Sequence, residues 1–94
     1  MTIRGKMLIG QQAVTGTQAN IQAVNPATGE KLAPVYVGGS RAHVEQACEL
    51  AEAAYSTYRE TSLEVRATFL ETIASEIEAI GSELIERAMA ETGL

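Results

Sequence analysis

Val24-Asn25-Pro26-Ala27-Thr28-Gly29-Glu30 separates two strand-like stretches. Pro26 fixes its own φ and Gly29 tolerates a positive one, so the segment reads as a tight turn. Before it, Asn20-Ile21-Gln22-Ala23-Val24 alternates polar and apolar residues, the period of a half-buried strand. After it, Lys31-Leu32-Ala33-Pro34-Val35-Tyr36-Val37 supplies the return strand. Pro34 has no N–H to give to a ladder, which places it on an edge or at a bulge. Further upstream, Lys6-Met7-Leu8-Ile9 and Ala13-Val14-Thr15 flank Gly10-Gln11-Gln12, a second and shorter hairpin with Gly10 at positive φ.

Downstream the composition changes near Ser40. Residues 1–39 hold six of the eight glycines, both prolines and one glutamate, whereas residues 40–94 hold the other eleven glutamates and no proline. The first part is expected to form β-hairpins and turns, and the second three amphipathic helices. Ser40 follows Gly38-Gly39 as the candidate N-cap of the first helix. Val44, Ala47, Cys48, Ala51, Tyr55 and Tyr58 form its apolar stripe. Thr61 and Glu64 have capping-box spacing at the start of the second helix, whose inward face is predicted to carry Leu63, Ala67, Leu70, Ala74 and Ile77. Phe69, Ile73 and Ile80 widen that face. Gly81 is read as the C′ residue closing this helix, with Ser82 capping the third. There Leu84, Ile85, Ala88 and Met89 are expected to face inward, and Glu83 to pair with Arg87 four residues on. Gly93 has the character of another C′ residue.

The 94 residues amount to one domain or less, and a compact fold of that length would have a radius of gyration of roughly 12 Å. With 46% hydrophobic and 20% charged residues the chain is globular rather than disordered. All acidic residues are Glu, and the net charge of −5 disfavours nucleic acid and anionic membranes as partners. No apolar run is long enough to span a bilayer, and Met7-Leu8-Ile9 is too short for a secretory core. One cysteine excludes an internal disulfide, and these features together point to the cytoplasm.

Catalytic constellations are scarce. His43 is the single histidine and, in a first helical turn, is expected to be solvated. With no Asp and no second His there is neither a His–Asp pair nor a zinc motif. Cys48 lies two turns into its helix on the apolar stripe, which predicts a buried and inert thiol. Gly38-Gly39-Ser40 could offer free N–H groups to an anion, but it spells no phosphate loop and reads as a capped strand-to-helix turn. Glu45 with Glu49, and Glu60 with Glu64, are like-charge neighbours on wet helix faces. The residues therefore predict no catalytic, cofactor-binding or metal-binding group in this chain.

The order of these elements resembles the N-terminal region of the aldehyde dehydrogenase superfamily. Met7-Leu8-Ile9-Gly10-Gln11 is similar to that family's opening hairpin, and Asn25-Pro26-Ala27-Thr28-Gly29-Glu30 to its N-P-[AS]-T-G-E turn. Ser40 to Ala54 resembles the helix that follows. Arg66-Ala67-Thr68-Phe69-Leu70-Glu71-Thr72-Ile73-Ala74 is similar to R-x-x-x-L-x-x-[IL]-A, and Glu91-Thr92-Gly93-Leu94 to E-[TS]-G-[KL]. The resemblance covers nearly the whole chain. Gln11-Gln12-Ala13-Val14 stands where many members carry an aromatic, Tyr58-Arg59-Glu60-Thr61-Ser62 where many carry Trp, and Leu94 where Lys is commonest. These departures resemble the branch of 2-oxoglutarate semialdehyde (2,5-dioxopentanoate) dehydrogenases, which prefer NADP.

The resemblance implies a parent oxidoreductase that turns an aldehyde into a carboxylate with NADP or NAD, through a nucleophilic cysteine and a glutamate-activated water. It also implies that those groups, the oxyanion asparagine and the cofactor loop lie outside this chain. Neither Cys48 nor any Glu here matches them. Some members bind a cation through a backbone carbonyl near the position of Val24. The expectation is an α+β, truncated N-terminal part of the α/β aldehyde dehydrogenase fold, belonging to its cofactor-binding domain. By itself it would be inactive and would bind no cofactor. Its expected partners are the remainder of the parent enzyme and further copies in a homo-oligomer. The rival readings are a small acidic α+β interaction module and a stand-alone structural protein.

Overall fold

The Asn25–Glu30 turn closes on itself. Gly29 donates its N–H to the Asn25 carbonyl at 2.7 Å, and Asn25 donates its own to Glu30 at 2.8 Å. Two side chains finish it: Asn25 Oδ1 accepts from Ala27 N–H at 2.9 Å, and Thr28 Oγ1 accepts from Glu30 N–H at 3.2 Å. Gly29 adopts φ 77°, a conformation that costs a side-chain-bearing residue energy. The computed structural model describes residues 2–94.

Strands β3 (Asn20–Val24) and β4 (Lys31–Val37) leave this turn as an antiparallel pair, with Val24 opposite Lys31 and Ala23 opposite Leu32. The register then slips: Ile21 faces Tyr36. The slip puts Pro34 in a bulge, where its missing N–H leaves no gap in the ladder. The Ala33–Pro34 bond is cis. Strands β1 (Met7–Ile9) and β2 (Gln12–Val14) form a separate two-stranded sheet. Its loop is shorter than the sequence implied. Gln12 pairs with Ile9, leaving Gly10-Gln11 as a two-residue turn with positive φ only at Gly10. That pattern of a Gly in the first loop position suits the twist of adjacent strands.

Helix α1 (Arg41–Arg59) starts at Ser40, as its sequence predicts, and the capping-box partner is His43. Helix α2 (Leu63–Ala79) is capped by Ser62 rather than Thr61: Ser62 Oγ accepts from Val65 N–H at 3.2 Å. Thr61 turns the other way, its hydroxyl donating to the Tyr58 carbonyl at 2.7 Å and so helping to end α1. Gly81 is not a left-handed C′ residue. It opens helix α3 (Gly81–Thr92), and Ile80 alone joins the two helices at φ −99°, ψ 11° without a side-chain cap. No reversal occurs there, so Ser82 has no capping task. Gly93 does end α3 in the left-handed conformation, at φ 77°. Arg87 places Nε on Glu91, 2.8 Å away, one turn beyond it, rather than on Glu83 behind it as the sequence predicted.

The packing departs most from expectation. Helix α1 lies on β1 and α3 on β3, while α2 has no extensive contact with any other element. Tyr58 and Phe69 link α1 to α2 edge to face, 6.2 Å between ring centres. Ile9 is the one buried apolar residue among those described. The radius of gyration is 16.9 Å, well above the compact value, and the molecule measures 50 × 32 × 17 Å. The helical stripes predicted to face inward therefore face outward.

Candidate functional site

The strand-to-helix junction is closed. Ser40 N–H donates to His43 Nδ1 at 2.9 Å, and Ser40 Oγ accepts from His43 N–H at 3.3 Å. His43 is thus not a freely solvated ring. Its Nδ1 is committed as an acceptor, in the role a Glu or Gln usually fills. Gly39 lies against Met7, where a Cβ would stand 2.8 Å from Sδ. A dinucleotide pyrophosphate needs open N–H groups and room at such a turn. At this turn the Gly38 N–H donates to the Ala19 carbonyl, the Ser40 N–H to His43 and the His43 N–H to Ser40 Oγ, the arrangement of a capped helix start.

Cys48 is exposed, which corrects the expectation of a buried thiol. Its stripe on α1 is largely open, with Val44 and Tyr55 each 62% exposed. In the 94-residue chain Cys48 should react with an aromatic disulfide reagent at a rate within about tenfold of the denatured protein. Protection much beyond that would show that a second molecule covers α1, since burial is what makes such a thiol inert. Val24 faces Lys31 as the last rung of the β3–β4 ladder. Among the described residues no cluster of three His, Cys, Asp or Glu could hold a metal ion.

The chain does present a large uncovered apolar surface. Leu63 is 74% exposed, Leu70 63% and Ile85 61%. Phe69, Thr72, Ile73, Glu76, Ile77 and Ile80 line a groove of about 270 Å³ along α2. The total accessible surface is 7515 Å². A compact monomer of 10.0 kDa would expose only about 5,200 Å², by the scaling of surface with mass. The excess, about 2,300 Å², exceeds what one partner contributes to a standard-sized interface, about 800 Å². Much of what lies open is apolar side chain, and a contiguous apolar face of this kind marks a contact surface.

Two arginines hold buried guanidinium nitrogens that the sequence did not announce, since Arg87 was expected only to pair with Glu83 and Arg66 only to open the R-x-x-x-L-x-x-[IL]-A stretch. Arg87 reaches from α3 to the β4 bulge, donating from Nη1 to the Ala33 carbonyl at 2.6 Å, while its Nη2 is buried without a partner. Arg66 stands on α2, its Nε also buried without a partner. The available signal for Arg66 was a cation on the same face as Phe69, Leu70 and Ile73 with no Glu three or four residues away.

The aldehyde dehydrogenase family matches residues 13–94. Alpha-ketoglutaric semialdehyde dehydrogenase 2 of Azospirillum brasilense is 52% identical over the whole of this chain and 18% of its own length. Alpha-ketoglutaric semialdehyde dehydrogenase of Acinetobacter baylyi is 34% identical over 96% of this chain and 17% of its own. The chain thus spans under a fifth of the length of these relatives. No solved structure gives a significant match.

Proposed function

The chain belongs to the aldehyde dehydrogenase family, and we propose that it is the N-terminal portion of an enzyme that oxidises 2-oxoglutarate semialdehyde to its carboxylate with NADP or NAD. The observation that carries this reading is the 52% identity, end to end, with the Azospirillum brasilense protein. The role of these 94 residues in that enzyme is architectural. Their hairpins and helices offer an apolar surface to the remainder of the polypeptide, which supplies nucleophile, base and cofactor loop. Such an enzyme works in the cytoplasm as a homo-oligomer. No helix among the described residues is long and apolar enough to cross a membrane.

A chimera tests the proposal. The 94 residues replace the matching stretch of the Azospirillum brasilense protein, and formation of NADPH or NADH from 2-oxoglutarate semialdehyde is followed by absorbance. The chimera is expected to turn over, and the 94-residue chain alone to give no signal above the uncatalysed background. A folded but inactive chimera would overturn the reading of family role. Turnover by the 94-residue chain would overturn the assignment of an architectural role.

A further inference from the structure

Four arginines lie in the helices, and three of them place Nε on a glutamate: Arg41 on Glu45 at 3.0 Å, Arg59 on Glu60 at 3.4 Å, and Arg87 on Glu91 at 2.8 Å. Arg66 is the exception, with Nε buried and unpaired. The sequence explains it. The positions one turn away on α2 are Ser62, Leu63, Phe69 and Leu70, none of which carries a charge. Helical spacing runs from Arg66 through Phe69, Ile73, Ile77 and Ile80, so the cation stands on the uncovered apolar face.

We propose that this face of α2 is covered by an apolar segment bearing a carboxylate that pairs with Arg66. That segment comes from the part of the polypeptide that the relatives have beyond the stretch matched here. The inference rests on the family role proposed above. Whatever covers this whole face of α2 removes water from around the guanidinium, and a charge so enclosed is costly unless an opposite charge meets it. A backbone carbonyl would satisfy the N–H but not the charge. A carboxylate does both, through charge-assisted bonds to the guanidinium fork. The relatives are over five times the length of this chain, which leaves ample polypeptide to supply such a segment.

The test uses the chimera and the 94-residue chain in parallel, each with Arg66→Lys, Arg66→Met and Arg66→Glu. In the chimera the thermal midpoint is expected to fall by a few degrees for R66M and less for R66K, and R66E should fail to give assembled, active enzyme. In the 94-residue chain, where Nε has no partner, all three should leave the helical circular dichroism unchanged. A chimera whose midpoint is the same with Met as with Arg would overturn the inference while leaving the family role intact. Equal losses of structure in both proteins would also overturn it, because the role of Arg66 would then lie within α2. A chimera that does not assemble even with Arg66 present would overturn both.

Discussion

In sedimentation velocity the 94-residue chain is expected to run at a mass above the monomer, rising with concentration, and to bind a hydrophobic dye. The helices are well formed, but they have little to hold them in place. A small domain needs about 5–15 kcal/mol of net stability, most of it from apolar burial. Among the described residues one apolar residue is buried, while Phe69 is 52% and Ile77 51% exposed. Each fully buried side chain of this kind contributes about 1.5–3 kcal/mol. Water-exposed stripes can recover part of that by meeting one another between molecules. The double substitution Ile73→Glu with Ile77→Glu removes two such groups from the α2 groove and adds two like charges. It should weaken association on the order of a hundredfold, since about 1.4 kcal/mol is a factor of ten. A strictly monomeric wild-type chain with a sharp cooperative melt would sink this expectation. Weight would then move to the reading as a self-sufficient interaction module.

The elements written in local chemistry were legible in the sequence. The Asn25–Glu30 turn depends on residues within six positions of one another, and both flanking strands appear where alternation put them. The Pro34 bulge followed from a missing N–H, and the Ser40 cap from an oxygen beside free backbone donors. Errors arose where two residues of equal aptitude stood side by side. Thr61 and Ser62 can both cap, and only the path of the chain out of α1 decides between them. Gly81 permits a left-handed turn but does not compel one.

The candidate site was harder to read for a different reason. Periodicity marks which face of a helix is apolar, not what covers it, so the stripes of α1, α2 and α3 were assigned to a core that these residues do not form. Cys48 was misplaced on that ground alone. His43 was misjudged because a ring nitrogen can stand in for a carboxylate in a capping box, which the residue type does not announce. The family, by contrast, was visible in the order of turn, helix and closing motifs, and the match over residues 13–94 bears that out. Arg66 was read only as the start of a family motif and Arg87 only as a partner for Glu83, because an unanswered or long-range hydrogen bond leaves no mark on local spacing.

Replacing Arg87 by Met should detach α3 from the hairpin. The guanidinium joins residues 54 positions apart in sequence, and it does so through the Ala33 carbonyl inside the bulge. A bond from a charged donor to a backbone acceptor is worth about 1.5–3 kcal/mol. The Arg87 side chain is only 21% exposed, so solvent screening removes little of this. The docked population should fall by about ten- to a hundredfold. Gly93 reports on docking, because its Cα lies against the Pro26 ring, where an added Cβ would stand 3.0 Å from Cγ. A nuclear Overhauser contact between Gly93 Hα and the Pro26 ring protons should be present in the wild-type chain and lost in R87M, with faster amide exchange along α3. R87K keeps the charge but not the fork and should be intermediate. Glu91→Gln should do less, because that carboxylate is 42% exposed and a solvated pair is worth about 0–1 kcal/mol. An undiminished Gly93–Pro26 contact in R87M would show that α3 is held by its apolar residues against β3, and that the bond to Ala33 follows docking rather than causing it.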